Sequence, residues 1–126
     1  MKKDTGKKIL LVDDDEDILD SVSAVLEMEG YRVAKTTRHA EVFEMIKVFV
    51  PNLVVLDILL SGADGRMICR SMKDNETTRH IPVIMMSALQ DLAKDSSACG
   101  AEGHLYKPFD LEQLISTIDK VINTTN

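Results

Sequence analysis

Leu53-Val54-Val55-Leu56-Asp57-Ile58-Leu59-Leu60 is the stretch on which the fold turns. Its first four residues are apolar at odd and even positions alike. That suits a strand buried on both faces, and so a central strand of a parallel sheet. The run then meets a carboxylate, Asp57. Packing gives a central strand no reason to end on a charge, whereas the carboxyl ends of parallel strands are where α/β sheets build their sites.

Outward from this strand the chain alternates. On the N-terminal side, a helical face of Val42, Met45, Ile46, Phe49 and Val50 must stop before Pro51, because the residue ahead of a proline is pushed out of the helical region. Tyr31 to Lys35 reads as a short strand, with Gly30 placed where a left-handed helix-ending residue belongs. Ahead of it, Ile18, Leu19, Val22, Val25 and Leu26 repeat at helical spacing behind the apolar run Ile9-Leu10-Leu11-Val12. On the C-terminal side, Met67, Ile68 and Met72 predict a helix that ends before Ile81. Pro82-Val83-Ile84-Met85-Met86 predicts a strand with its proline at the start. A short helix from Leu92 to Cys99, stopped by Gly100, precedes the strand His104-Leu105-Tyr106. The last helix carries Leu111, Leu114, Ile115, Ile118 and Ile122, with Asp110 as its N-cap. Five strands alternating with five helices predict an α/β domain whose parallel sheet is covered on both faces.

At 126 residues the chain has the size of a single domain, read as residues 1–126. A content of 44% hydrophobic and 29% charged residues excludes a disordered or fibrous chain. No apolar stretch is long enough to span a bilayer, and Met1-Lys2-Lys3-Asp4 has no apolar run behind it to make a signal peptide. A cytoplasmic location is therefore expected. The net charge of −6 argues against direct binding to nucleic acid and leaves protein partners open. Cys69 and Cys99 lack metal-ligand spacing and read as reduced, half-buried small residues.

If the strand ends form one site, their polar residues should make chemical sense together. After the first strand come Asp13, Asp14 and Asp15; after the third, Asp57; after the fourth, Ser87; after the fifth, Lys107-Pro108. Close carboxylates repel one another unless a cation joins them, and oxygen ligands with room for water suit Mg²⁺. Asp13, Asp14 and Asp57 total −3, which Mg²⁺ and Lys107 balance. An incoming phosphoryl group could share its charge with the metal, Lys107 and the Ser87 hydroxyl, with Asp57 as the nucleophile that forms an acyl phosphate. Each residue alone has a plainer reading. The aspartate cluster could serve a helix N-terminus, Ser87 a turn, and Lys107 nothing in particular.

These residues resemble the receiver domains of bacterial two-component response regulators over nearly the whole chain. The matching motifs are Ile9 to Asp15, Leu56-Asp57-Ile58 with Gly62 and Asp64-Gly65, Met86-Ser87-Ala88, and Gly100-Ala101 leading to Lys107-Pro108-Phe109. The resemblance implies a flavodoxin-like, doubly wound five-stranded parallel sheet, (βα)5, in strand order 2-1-3-4-5. It implies Asp57 as the phospho-accepting residue and Mg²⁺ held by Asp14, Asp57 and the Leu59 carbonyl, with Asp13 acting mostly through water. Ser87 and Lys107 would contact the phosphoryl oxygens. The donor would be a sensor histidine kinase, a phosphotransfer protein or a small phosphodonor, and a downstream protein target would read the result. Such a domain is a signalling switch that catalyses only its own phosphoryl transfer and dephosphorylation, either as a single-domain regulator or as the receiver part of a longer protein. Its usual output surface is helix four, strand five and helix five. Here helix four is short and polar, with Asp91, Lys94, Asp95, Ser96 and Ser97, which implies a weak or transient partner contact.

The chain departs from the family pattern in two places. Ser61 stands where a proline is usual, and His104 occupies the switch position three residues before Lys107 that an aromatic residue normally fills. His104 could serve as the switch ring and would bring a pH dependence that Tyr or Phe lacks. Leu59 and Leu89 flank the expected phosphoryl site, and neither side chain can position an attacking water, so a long-lived phosphorylated state is expected. Three other functions compete. A haloacid-dehalogenase-type phosphatase would need Thr or Val where Asp17 stands, and a flavodoxin-like cofactor binder would need a phosphate loop after the first strand. The third is a pseudo-receiver, an interaction module with the same fold that is not phosphorylated.

Overall fold

Apolar runs of four or five residues become the core strands, because burying both faces of each run requires helices above and below the sheet. The computed structural model describes residues 4–88 and 92–124. Leu89 and Asp91, to which the sequence reading gave roles, lie outside the described residues. The elements run β1 (Lys8–Val12), α1 (Glu16–Met28), β2 (Arg32–Thr36), a 3-10 turn (His39–Glu41), α2 (Val42–Phe49), β3 (Leu53–Asp57), β4 (Leu59–Leu60), β5 (Ala63–Asp64), α3 (Gly65–Asp74), β6 (Val83–Ser87), α4 (Leu92–Cys99), β7 (Gly103–Tyr106) and α5 (Leu111–Thr124).

The main sheet is parallel throughout and ordered β2-β1-β3-β6-β7. Counting only its own strands, this is the expected order 2-1-3-4-5. The small antiparallel hairpin β4–β5 is an addition that the sequence reading did not foresee. Alternation along the strands divides the core in two. Leu10, Val12, Val54, Leu56, Val83 and Met85 face Ile46, Ile68, Cys69, Met72 and Cys99 on the α2–α3–α4 side. Ile9, Leu11, Val55, Ile84, Met86 and Leu105 face Leu19, Val22, Leu26, Leu114 and Ile118 on the α1–α5 side.

Local chemistry sets the helix ends. Gly30 and Gly100 both take left-handed φ values, +94° and +88°, as expected of helix-terminating glycines. Asp110 Oδ1 accepts from the Gln113 N–H at 2.8 Å while Gln113 Oε1 accepts from the Asp110 N–H at 3.0 Å, a reciprocal cap. Three expectations change. Met67 is exposed, because α3 starts at Gly65 and turns Ile68, Cys69 and Met72 inward instead. Val50 is exposed in the left-handed region (φ 53°), where the chain must leave α2 ahead of Pro51. Cys69 and Cys99 are both free thiols, but they are fully buried rather than half-buried.

Candidate functional site

Strand register brings the polar strand ends together. Val12 pairs with Leu56, so Asp13 leaves β1 beside Asp57 at the end of β3. Ser87 pairs with Tyr106, so Lys107 leaves β7 beside Ser87 at the end of β6, and its backbone N–H donates to the Ser87 carbonyl at 2.9 Å. Lys107 Nζ then reaches across β6 and donates to Asp13 Oδ2 and Asp57 Oδ2, both at 2.7 Å. The second oxygen of each aspartate takes a backbone donor. Asp57 Oδ1 accepts from the Leu59 N–H at 3.0 Å, and Asp13 Oδ1 from the Asp15 N–H at 2.9 Å. Asp13, Asp57 and Ser87 are buried.

The three successive aspartates take three different positions. Asp13 turns into the site, Asp14 is exposed beside it, and Asp15 caps α1 by accepting from the Asp17 and Ile18 N–H groups at 2.9 and 3.3 Å. The helix-start reading of an acidic cluster is thus true of Asp15 and not of Asp13. Of the other residues singled out, Leu59 contributes a backbone donor to Asp57 while its side chain is 59% exposed at the rim. His104 is not drawn in. It is exposed on β7 with its ring edge-on to Tyr106, centroids 5.5 Å apart. The aromatic residue in contact with α4 is Tyr106, whose hydroxyl accepts from the Ala93 N–H at 3.4 Å.

Two residues that the sequence reading left without a role shape the backbone after Asp57: Gly65 rests on it and Asp64 starts the helix that follows. A Cβ on Gly65 would collide with the Asp57 carbonyl oxygen, and the Gly65 N–H donates to the Ile58 carbonyl at 2.8 Å. Glycine lets the start of α3 sit directly on the chain that carries Asp57. Asp64 caps α3 through the Arg66 N–H at 2.9 Å. The signal available was the Asp64-Gly65 pair, which marks a helix start but not what that helix rests on.

Burial raises the Asp57 carboxyl above its ordinary range, and the charge on Asp13 adds to this; the Lys107 and Leu59 contacts offset only part. For Lys107 burial works the other way, yet its bonds to Asp13 and Asp57 prevail and keep the ammonium protonated. Two buried carboxylates therefore share one cation, and the pocket lacks positive charge. Among the described residues, no group of three or more His, Cys, Asp or Glu side chains converges to enclose a metal ion. The buried donors Asp13 and Asp57 are carboxylate oxygens, and Asp14, next along the chain, is exposed to water, a donor set that suits Mg²⁺, an ion that keeps several waters. A cleft of about 500 Å³ opens next to the site between α1 and α5, with Ile18, Val22, Phe109, Leu111 and Leu114 among its walls and Lys107 also lining it.

Comparisons with known proteins agree with the fold. Residues 9–119 match the model of the response regulator receiver domain. The chain is 34% identical over 122 residues to the DNA-binding dual master transcriptional regulator RpaA of Synechocystis, covering 94% of this chain and 50% of that protein. It is 32% identical to the phosphate regulon transcriptional regulatory protein PhoB of Pseudomonas aeruginosa, covering 95% of this chain and 53% of PhoB. The chain thus spans about half the length of these curated relatives. Among solved structures, a putative response regulator from Chloroflexus aurantiacus superposes with a TM-score of 0.86 at 27% identity, covering 93% of this chain and 98% of that one. The signal receiver domain of a histidine kinase from Syntrophus aciditrophicus gives 0.85 at 28%, covering 94% and 91%. Receiver domains are signalling switches that work with histidine kinases or phosphotransfer proteins. With the sheet order and the family match over residues 9–119 in agreement, the chain belongs to the response regulator receiver family.

Proposed function

We propose that this chain is an active receiver, phosphorylated on Asp57 in a Mg²⁺-dependent reaction by a sensor histidine kinase or phosphotransfer protein, and read by a downstream protein target. The observation that carries the reading is Lys107 Nζ bound at 2.7 Å to both Asp13 and Asp57 at the carboxyl ends of the strands. Asp57 is the nucleophile. A carboxylate oxygen attacks the phosphorus of a phosphohistidine, the P–O bond forms as the P–N bond breaks, and the departing imidazole takes up a proton. Lys107 carries its charge next to the new phosphoryl oxygens, and Ser87, at the end of the adjacent strand, supplies a hydroxyl donor. Asp13, Asp14, Asp57 and the Leu59 carbonyl would hold Mg²⁺. When bound, the ion neutralises charge that builds up on the phosphoryl group.

The chain would thus catalyse only its own phosphorylation and dephosphorylation. The apolar cleft between α1 and α5, open beside Lys107, supports docking of a donor helix at the site. A protein partner, no direct contact with nucleic acid and a cytoplasmic setting accord with the net charge of −6 and with the absence, among the described residues, of any helix able to cross a membrane. One observation favours the pseudo-receiver reading: His104, at the switch position, is exposed with its ring edge-on to Tyr106. Intact mass after incubation with acetyl phosphate and Mg²⁺ separates the two. We expect a gain of one phosphoryl group in the wild type and none in Asp57→Ala; a wild type that gains nothing makes the pseudo-receiver reading the better one.

A further inference from the structure

One face of α3 carries Arg66, Cys69, Arg70 and Lys73 at i, i+3, i+4 and i+7, the spacing that lines side chains along a helix. All four reach α4 or the segment just beyond it. Arg66 grips Asp64 with Nε (2.9 and 3.1 Å) and Nη2 (2.7 Å), and its Nη1 lies 3.4 Å from Asp95 of α4. Cys69 Sγ and Arg70 Nη2 donate to the carbonyls of Cys99 and Ala98 at 3.4 and 2.8 Å. Lys73 Nζ binds Glu102 at 2.8 Å.

The two carbonyls belong to the last turn of α4, where the helix has no N–H of its own to offer them. That turn contains no basic residue. The Gly100 turn satisfies the Ser97 and Ser96 carbonyls through the Gly100 and Ala101 N–H groups, and α3 adds donors for the two carbonyls beyond them and the positive charge that the last turn of α4 lacks. Apolar burial gives little help, since among the described side chains of α4 only Ser96 and Cys99 are buried.

We propose that α4 is docked chiefly by this polar strap from α3, and that Arg66 couples the hairpin following Asp57 to α4. The docking stands on the contacts alone, whereas the coupling also rests on the phospho-accepting role of Asp57. Asp64 ends the β4–β5 hairpin that begins two residues after Asp57, so a shift of that hairpin moves one of the two carboxylates between which Arg66 is shared. The guanidinium can redistribute between Asp64 and Asp95, and that gives the coupling a physical element with two arrangements.

Amide hydrogen exchange on the whole chain tests the docking. We expect the α4 amides to exchange about fivefold faster in Arg66→Gln, and by a similar factor in wild type at about 1 M NaCl, where ionic contacts are screened. Exchange in α5 should not change. Asp95→Asn should add less on the Arg66→Gln background than on wild type, because both remove one contact. Additive effects, α4 exchange insensitive to salt, or equal acceleration of α5 would overturn the strap. If Arg66→Gln does not fold, the wild-type salt series and Arg66→Lys decide it, the lysine being expected to show intermediate protection.

Acetyl phosphate with Mg²⁺ tests the coupling, with intact mass read in the same samples. A mass gain whose effect on α4 exchange is at least halved in Arg66→Gln supports it; an equal α4 response in both proteins overturns it. No mass gain in wild type defeats the receiver reading and the coupling together, while the salt and exchange results still decide the strap.

Discussion

Helices α4 and α5 both pack around β7, and they are held there by different means. α5 buries Leu114, Ile118, Val121 and Ile122 against β1, β3 and β7, a full apolar stripe. α4 buries Ser96 and Cys99 among its described side chains and otherwise depends on hydrogen bonds and ion pairs, including Ser96 Oγ to the Gly103 carbonyl at 3.0 Å. Apolar burial is non-directional and insensitive to salt, and it is lost only when the helix leaves the sheet. Polar docking is directional and cheap to exchange for water, because each bond has a net worth of only about 1 kcal/mol. A surface assembled from one helix of each kind can change at one edge while the other stays in place.

The largest expected effect lies on the apolar side. Leu114→Ala should cost about 2–5 kcal/mol in a urea titration, because it leaves a cavity under β7. A cost below about 1 kcal/mol would mean that α5 is no better packed than α4. A second test uses pH. Burial pushes the Cys69 thiol far above its ordinary range, with the neighbouring Cys99 adding to the shift, and the Tyr31 hydroxyl is raised by burial and by its hydrogen bond to Asp119. Both groups are neutral in the fold and would ionise more readily in the unfolded chain. Their contribution is fully present below the unfolded values and is lost as pH rises past them. Stability should therefore fall by about 3 kcal/mol between pH 8 and 10.5, and Cys69→Ala should flatten the first part of that fall. The smallest effect is on the polar side. Ser96→Ala removes one buried donor and should cost about 1 kcal/mol, with the loss concentrated in α4 exchange rather than in global unfolding. Equal losses in α4 and α5 would erase the distinction between them.

Local features made much of this protein legible. Apolar runs closed by Asp13, Asp57, Ser87 and Lys107 announced parallel strands with a site at their carboxyl ends, because burial on both faces and a polar strand end are written in adjacent residues. The residue pattern alone, without the family resemblance, could not separate the positions of Asp13, Asp14 and Asp15. Three identical side chains in a row diverge only once the strand has a register and the helix a first turn. Nor could it show that Gly65 rests on the Asp57 carbonyl, or that Arg66, Cys69 and Arg70 serve α4, since those partners are 8 to about 30 positions away. Short-range periodicity and chain punctuation determine which elements form and which strand ends carry charge. Which atoms then meet is set by strand order and helix docking, where the free energy comes from contacts between residues remote along the chain, and that only the tertiary structure decided.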